Sequence, residues 1–179
     1  MNSGRQLEIL VLRCQIGDTD AFEELFKQYQ PRLRYYLRRM DKTERNIDDT
    51  LQETWLAVLR RISKLKDPKA FTSWLYRIAR NKVYGRLRKK QQFVQLSEKE
   101  LPLEINGDEP GFSADLAGQI HKALDRIQPQ HREVLTLCFL ENMPYQAIAE
   151  IVGCSLGTVK SRIYYAKQSL RKELESKNE

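Results

Sequence analysis

The chain has 179 residues, of which 41% are hydrophobic and 31% charged, with 8 Gly and 6 Pro. That is enough for one ordinary domain or two small ones, and the composition suits a soluble, helix-rich protein with small cores rather than a disordered chain. A formal net charge of +7 favours polyanionic partners.

In chain order, residues 1–17 predict a short helix whose apolar part is Leu7, Ile9, Leu10, Val11 and Leu12. Asp18, Thr19 and Asp20 offer an N-cap for the next helix. There Phe22, Leu25, Phe26, Tyr29, Leu33, Leu37 and Met40 recur at helical spacing, with Arg32, Arg34, Arg38 and Arg39 opposite. Pro31 is expected to interrupt and kink this helix. Asp48 or Asp49 opens a third helix, with Leu51, Trp55, Val58, Leu59 and Ile62 as its apolar stripe. Asp49, Gln52, Glu53 and Leu56 lie toward another face. Acids in a first turn suit the helix dipole, and the same residues would also suit a basic partner; spacing alone does not choose.

Ser63–Lys69 reads as a loop, with Asp67-Pro68 as its turn signal. The helix that follows, roughly 70–90, turns Phe71, Leu75, Ile78 and Val83 inward. Arg77, Arg80, Tyr84 and Arg88 recur at i, i+3, i+7 and i+11. From Lys69 to Lys90 there are eight basic residues (Lys69, Arg77, Arg80, Lys82, Arg86, Arg88, Lys89, Lys90) and no acid, interleaved with Trp74, Tyr76 and Tyr84. Cations neutralise phosphates and aromatics stack on unpaired bases, so the mixture suggests single-stranded or melted DNA. The bland alternative is a solvated basic face over a buried Trp74; partial burial of Trp74 is expected.

Leu96–Asp115 carries six acids against the single Lys99, with Pro102, Gly107, Pro110 and Gly111 opposing regular structure. It reads as an interdomain linker. Beyond it Ser113 offers a cap, and Leu116, Ile120, Leu124 and Ile127 recur at helical spacing. Gln128-Pro129 breaks the chain, and Val134, Leu135, Leu137, Cys138 and Phe139 form another apolar run. Pro144–Lys167 then reads as helix, tight turn, helix. Gly153 ends the first helix and Ser155 caps the second. Val159, Ile163, Ala166 and Leu170 face inward, which leaves Lys160, Ser161, Arg162, Tyr164 and Tyr165 between them. This is the helix-turn-helix layout for the major groove, against the plainer reading of a helical hairpin with a basic face.

Cys14, Cys138 and Cys154 are far apart and odd in number, and form no metal-ligand spacing, so they are expected as small core residues in a reducing cytoplasm. No apolar run reaches membrane-spanning length, and membrane insertion is not expected. His121 and His131 are expected to be ordinary surface or boundary residues. No P-loop, metal-ligand or nucleophile–base pattern occurs, so neither catalytic residues, a metal nor a cofactor is expected.

Taken together, Asp49-Thr-Leu-Gln-Glu-Thr-Trp55, Phe71-Thr-Ser-Trp-Leu-Tyr-Arg-Ile-Ala-Arg-Asn81, Arg132-Glu-Val-Leu135, Ile148-Ala-Glu150 and Gly157-Thr-Val-Lys-Ser-Arg162 resemble bacterial sigma factors of the sigma-70 family, in the extracytoplasmic-function (ECF) group. The likeness runs from about Asp20 to Leu174; any one marker is weak, and their order is specific. It implies an all-α fold of two small helical domains. A region 2-like bundle would occupy 1–91 and a region 4-like helix-turn-helix domain 113–179, joined by a flexible linker at 92–112. It implies that Asp49, Gln52 and Glu53 dock on the β′ clamp helices of core RNA polymerase, with a β-flap contact elsewhere. Ser63, Lys64, Lys66, Lys69, Trp74, Tyr76, Arg77, Arg80, Asn81, Tyr84 and Arg88 would open and read the −10 element, the loop helping to hold a flipped non-template base. Ser155, Thr158, Lys160, Ser161, Arg162, Tyr164 and Tyr165 would read the −35 element as duplex. An anti-sigma factor is a further implied partner. In two places the chain departs from the family's habit: Tyr165 stands where a basic residue is frequent, and Thr50 where an apolar one is commoner. The competing class, a stand-alone helix-turn-helix regulator, explains residues 113–175 but gives the Asp49/Gln52/Glu53 surface no task.

Overall fold

The structure, a computed structural model, describes residues 3–41, 47–94 and 114–175. Among these residues it is helix and turn alone. Helices α1 (Ser3–Gln15), α2 (Thr19–Met40), α3 (Ile47–Arg61) and α4 (Phe71–Val94) come first. Then follow α5 (Ala114–Arg126), α6 (Pro129–Leu135), α7 (Tyr145–Val152) and α8 (Leu156–Glu175). They form two compact units that divide near Phe93 and Val94. The Ser113 cap, the acidic stretch up to that residue, and the side chains of Lys89, Lys90 and Leu116 lie outside the described residues.

In the first unit α1 buries Leu10, Val11 and Cys14, while Ile9 and Leu12 stay about half exposed. The apolar run is wider than one helical face, so a helix packed on one side cannot bury all of it. Burial, with Asp18 nearby, pushes the Cys14 thiol up to about 11, which keeps it protonated at neutral pH. Gly17, at φ +90°, turns the chain. Asp18 then caps α2, accepting the Ala21 N–H at 3.0 Å, and pairs with Arg13 at 2.8 Å.

Contrary to expectation, α2 runs through Pro31 without interruption. Proline inside a helix costs about 3 kcal/mol. Here Pro31 faces solvent, and the helix buries Leu25, Tyr29, Leu33, Tyr36 and Leu37 on its other side, enough apolar surface to offset that cost. In α3, Leu51, Trp55 and Val58 are buried, and Thr50 is buried with them. That places the unusual Thr50 on the core side rather than on the acidic face. Trp55 donates its indole N–H to Gln30 Oε1 at 2.6 Å and packs against Phe22 and Phe26. Leu59, expected in the stripe, is exposed. Phe71, Leu75, Ala79 and Val83 seat α4, whereas Ile78 is only half-buried.

In the second unit α6 passes into a π-helical turn over Thr136–Leu140, where the Glu141 N–H reaches the Thr136 carbonyl, five residues back, at 3.1 Å. Thr136 and Leu137 are buried and Phe139 and Leu140 stay exposed, so the apolar run from Val134 to Phe139 does not turn inward as a whole. The wider turn shifts the residues beyond it out of the 3.6-residue register of α6. Cys138 and Cys154 are likewise half-buried rather than core. Asn142, at φ +52°, leads into α7. Gly153 ends α7 in the left-handed conformation (φ +73°), its N–H bonded to the Ala149 carbonyl at 2.8 Å. Val159, Ile163 and Ala166 are the buried face of α8.

Candidate nucleic-acid interface

Three candidate surfaces arise from these elements. The first is acidic and belongs to α3. Asp49 and Gln52 are exposed, but Glu53 is held from α4: Arg86 bonds its Oε1, and Lys82 Nζ lies 3.3 Å from Oε2. Arg86 also approaches Asp49 at 3.9 Å. The Arg86 contact, opposed by some desolvation and helped by Lys82, holds the Glu53 carboxyl below the ordinary value of 4.5. Lys82 and Arg86, read in the sequence as part of one basic run, therefore serve the α3 acids.

The second surface is the loop before α4 and one face of that helix. A 3₁₀ turn at Ile62–Lys64 leads through Leu65 and Lys66 to Asp67, whose side chain accepts the Lys69 N–H at 3.0 Å and caps a second 3₁₀ turn at Pro68–Ala70. Here the surface forms an open pocket of about 280 Å³ lined by Arg61, Lys64, Leu65, Lys66 and Trp74. Trp74 is half-buried, as expected, and Ser63 and Lys69 are exposed on the same loop. Arg61 was not anticipated; its only signal is a basic residue in the last turn of α3. At about 100° per residue, Trp74, Arg77, Arg80, Asn81, Tyr84 and Arg88 share an arc of about 120° on α4. Arg77, Asn81 and Arg88 are exposed, and the Arg80 guanidinium stacks 4.4 Å from the Tyr84 ring. One member of the expected set drops out. Tyr76 is fully buried, 5.2 Å from the Tyr36 ring, because it lies seven residues before Val83, on the core side.

The third surface is the helix-turn-helix. Ser155 Oγ accepts the Thr158 N–H at 3.1 Å and lies 2.8 Å from its hydroxyl. Ser161 bonds back to the Gly157 and Thr158 carbonyls at 3.0 and 3.2 Å. Lys160, Ser161, Tyr164 and Tyr165 are exposed, the two tyrosines forming an edge-to-face pair at 5.4 Å. Arg162 is half-buried beside the core face, a flanking position. No group of three or more His, Cys, Asp or Glu placed to hold a metal ion occurs among the described residues. Nor is any helix among them long and apolar enough to cross a membrane.

Two family profiles match the chain: Sigma-70 region 2 over residues 25–93 and Sigma-70, region 4 over residues 117–170. The RNA polymerase sigma factor CarQ of Myxococcus xanthus is 30% identical over 165 residues, covering 90% of this chain and 94% of CarQ. The ECF sigma factor SigE of Mycolicibacterium smegmatis is 28% identical over 156 residues, 84% of this chain but only 60% of that relative. Among solved structures, the sigma factor RpoE of Bartonella quintana, crystallised with the anti-sigma factor NepR, superposes with a TM-score of 0.75. The identity there is 25%, over 86% of this chain and 96% of RpoE. The chain belongs to the sigma-70 family of RNA polymerase sigma factors, in the ECF group. It is a promoter-recognising factor, and this family is not known as an enzyme family.

Proposed function

We propose that the pocket of Arg61, Lys64, Leu65, Lys66 and Trp74 receives an unpaired non-template base of the −10 element, while the α4 face carries the strand away from it. The observation that carries this reading is the convergence of three cations and a half-buried indole on one cavity at the foot of that face. A flipped base needs an aromatic or apolar wall, and its flanking phosphates need cations. From Trp74 to Arg88 the helix rises about 21 Å, room for roughly six nucleotides at duplex spacing. Ser63 and Lys69 border this site, and Arg77, Arg80, Asn81, Tyr84 and Arg88 contact the strand.

On this reading Lys160, Ser161, Tyr164 and Tyr165 of α8 enter the major groove at the −35 element. Ser155, Thr158 and Arg162 position the helix on the backbone. Asp49 and Gln52 meet the β′ clamp helices, with Glu53 shared between that contact and α4. The domains extend over 1–91 and 113–179 with the linker between, and the factor works in the cytoplasm. An anti-sigma factor is its regulator, as the NepR complex of the RpoE relative suggests. Opening draws on the stronger binding of melted over paired DNA, with no nucleotide hydrolysis.

Run-off transcription with core polymerase tests the reading. The chain is expected to direct initiation from a selected promoter, and a Lys64→Ala/Lys66→Ala/Trp74→Ala variant to bind core normally but to open that promoter at least tenfold more slowly. Tight, specific duplex binding without any initiation would favour the stand-alone regulator instead.

A further inference from the structure

Gln15 is the last residue of α1, and nothing in its local sequence marks it. Its side-chain Nε2 donates to two backbone carbonyls of the loop, Ile62 O at 3.0 Å and Leu65 O at 2.7 Å. These partners lie 47 and 50 residues away in the chain. Two carbonyls converging on one side chain require a donor. A glutamine amide supplies two N–H groups from one nitrogen, whereas a glutamate offers none when ionised.

The two carbonyls bracket Ser63 and Lys64, and Leu65 itself lines the pocket. The Leu65 N–H also bonds the Ile62 carbonyl at 3.1 Å, so the turn is closed locally and then tied from outside. Gln15 is itself well anchored. Its helix is held by buried Leu10, Val11 and Cys14, and the helix end is closed by Gly17 and Asp18 N–H bonds to the Cys14 and Arg13 carbonyls, both at 3.1 Å. On the other side of Lys66, Asp67 caps the second 3₁₀ turn. The segment carrying Lys64 and Lys66 is thus fixed at both ends, one tie being a side chain from a remote helix.

We propose that Gln15 is a positioning residue for the base pocket. It fixes the backbone of 62–65 so that Lys64 and Lys66 meet Arg61 and Trp74 before DNA arrives, which removes from binding the entropy of ordering the loop. The proposal rests on the reading of that pocket as the site of an unpaired base, and it names a residue 50 positions from Leu65 in the chain that tunes the pocket through its backbone.

The test uses holoenzyme, assembled from the full chain and core polymerase, with two probes: a duplex carrying the −35 element, and a bubble with the −10 non-template strand unpaired. Each base is placed in turn at the flipped position. Gln15→Met keeps the length and loses the donor; Gln15→Glu replaces the donor with an acceptor; Gln15→Lys keeps a donor. Gln15→Met is expected to weaken bubble binding by roughly three- to tenfold, the scale of a lost hydrogen bond or two, and to flatten the preference among bases. Core binding and duplex binding should stay within about twofold. Gln15→Glu should lose more, and Gln15→Lys should keep the wild-type preference.

A merely structural role would lower every affinity together and leave the base preference unchanged, which overturns the proposal. So does wild-type behaviour of Gln15→Met and Gln15→Glu while Trp74→Ala loses bubble binding; the pocket reading then stands without Gln15. If Trp74→Ala also binds the bubble normally, the pocket reading itself falls, and the proposal with it. Where Gln15→Met folds too poorly to measure, Gln15→Lys against Gln15→Glu decides: equal base preference in both overturns the proposal.

Discussion

The two DNA-facing units solve the same problem in opposite ways. In the first, the candidate side chains are woven into the fold: Glu53 is held by Arg86 and Lys82 from another helix, Trp74 is half-buried, and the pocket loop is tied from α1. In the second, the hydrogen bonds around the candidate reading residues are local. Ser155 caps its own helix and Ser161 bonds back one turn, while Lys160, Tyr164 and Tyr165 point into solvent. A duplex presents a regular groove, so an exposed helix face suffices to read it. An unpaired base has no fixed position of its own and must be met by a shaped cavity, which requires contacts across the fold. The expected consequence is that stability and function are coupled in the first unit and separable in the second.

Tyr76→Ala should give the largest effect, a loss of about 3–5 kcal/mol in chemical denaturation, because a fully buried aromatic is removed. A loss under about 1 kcal/mol would return Tyr76 to the surface and break the contrast. Lys160→Ala should cost about 1–3 kcal/mol in −35 discrimination if the side chain reads a base, with stability changed by less than about 0.5 kcal/mol. Footprinting alongside thermal melting separates the two quantities. A weakening that is equal on all duplexes would place Lys160 on phosphate instead. Ser155→Ala removes the only side-chain cap seen on α8 and should destabilise the second unit by about 1 kcal/mol. Calorimetry should find the first unit's transition unmoved.

The smallest effect sharpens the comparison most. Glu53→Gln should lower the stability of the first unit by at most about 1 kcal/mol, since the ion pair is partly exposed. It should weaken core polymerase binding as well, whereas Gln52→Ala should affect binding alone. The pH dependence fixes the cause. Because the folded Glu53 carboxyl titrates below 4.5, its contribution is present above that value and fades as pH falls through the lower folded one. Wild type and Glu53→Gln should therefore differ at neutral pH and converge in acid, as read by denaturation at a series of pH values. A constant gap would show that the ion pair is not what is lost.

This contrast also explains what the sequence could reveal. The helices of both units are legible because apolar residues recur every 3.6 positions, and the reading helix is legible because its cap, its buried face and its exposed residues all lie within about fifteen residues. Tyr76 was misread although its spacing to Val83 held the answer, because tyrosine suits both a core and a base-stacking surface. The exposure of Phe139 was not legible, because a π turn changes the register without a mark in the residue types. The interior of α2 was misread at Pro31, where the tertiary core overrides a local breaker. Arg61, Lys82 and Arg86 look alike in sequence; only the packing of α3 against α4 and the loop decides which of them faces acids and which faces the pocket. Gln15 could not be found at all, since its partners are backbone carbonyls, which every residue has.

The tie from Gln15 also has a consequence for how the protein is made and divided. Ribosomes add roughly 5–20 residues per second, so α1 is complete some 2–10 s before the carbonyls it will hold have been joined to the chain. During that interval the Gln15 amide lacks both of these partners, and the tie to the loop can form only once residues 62–65 have been added. The region 2 profile begins at residue 25, ten residues beyond Gln15. A fragment cut at that boundary would keep every residue that lines the pocket and lose the side chain that ties its loop to α1.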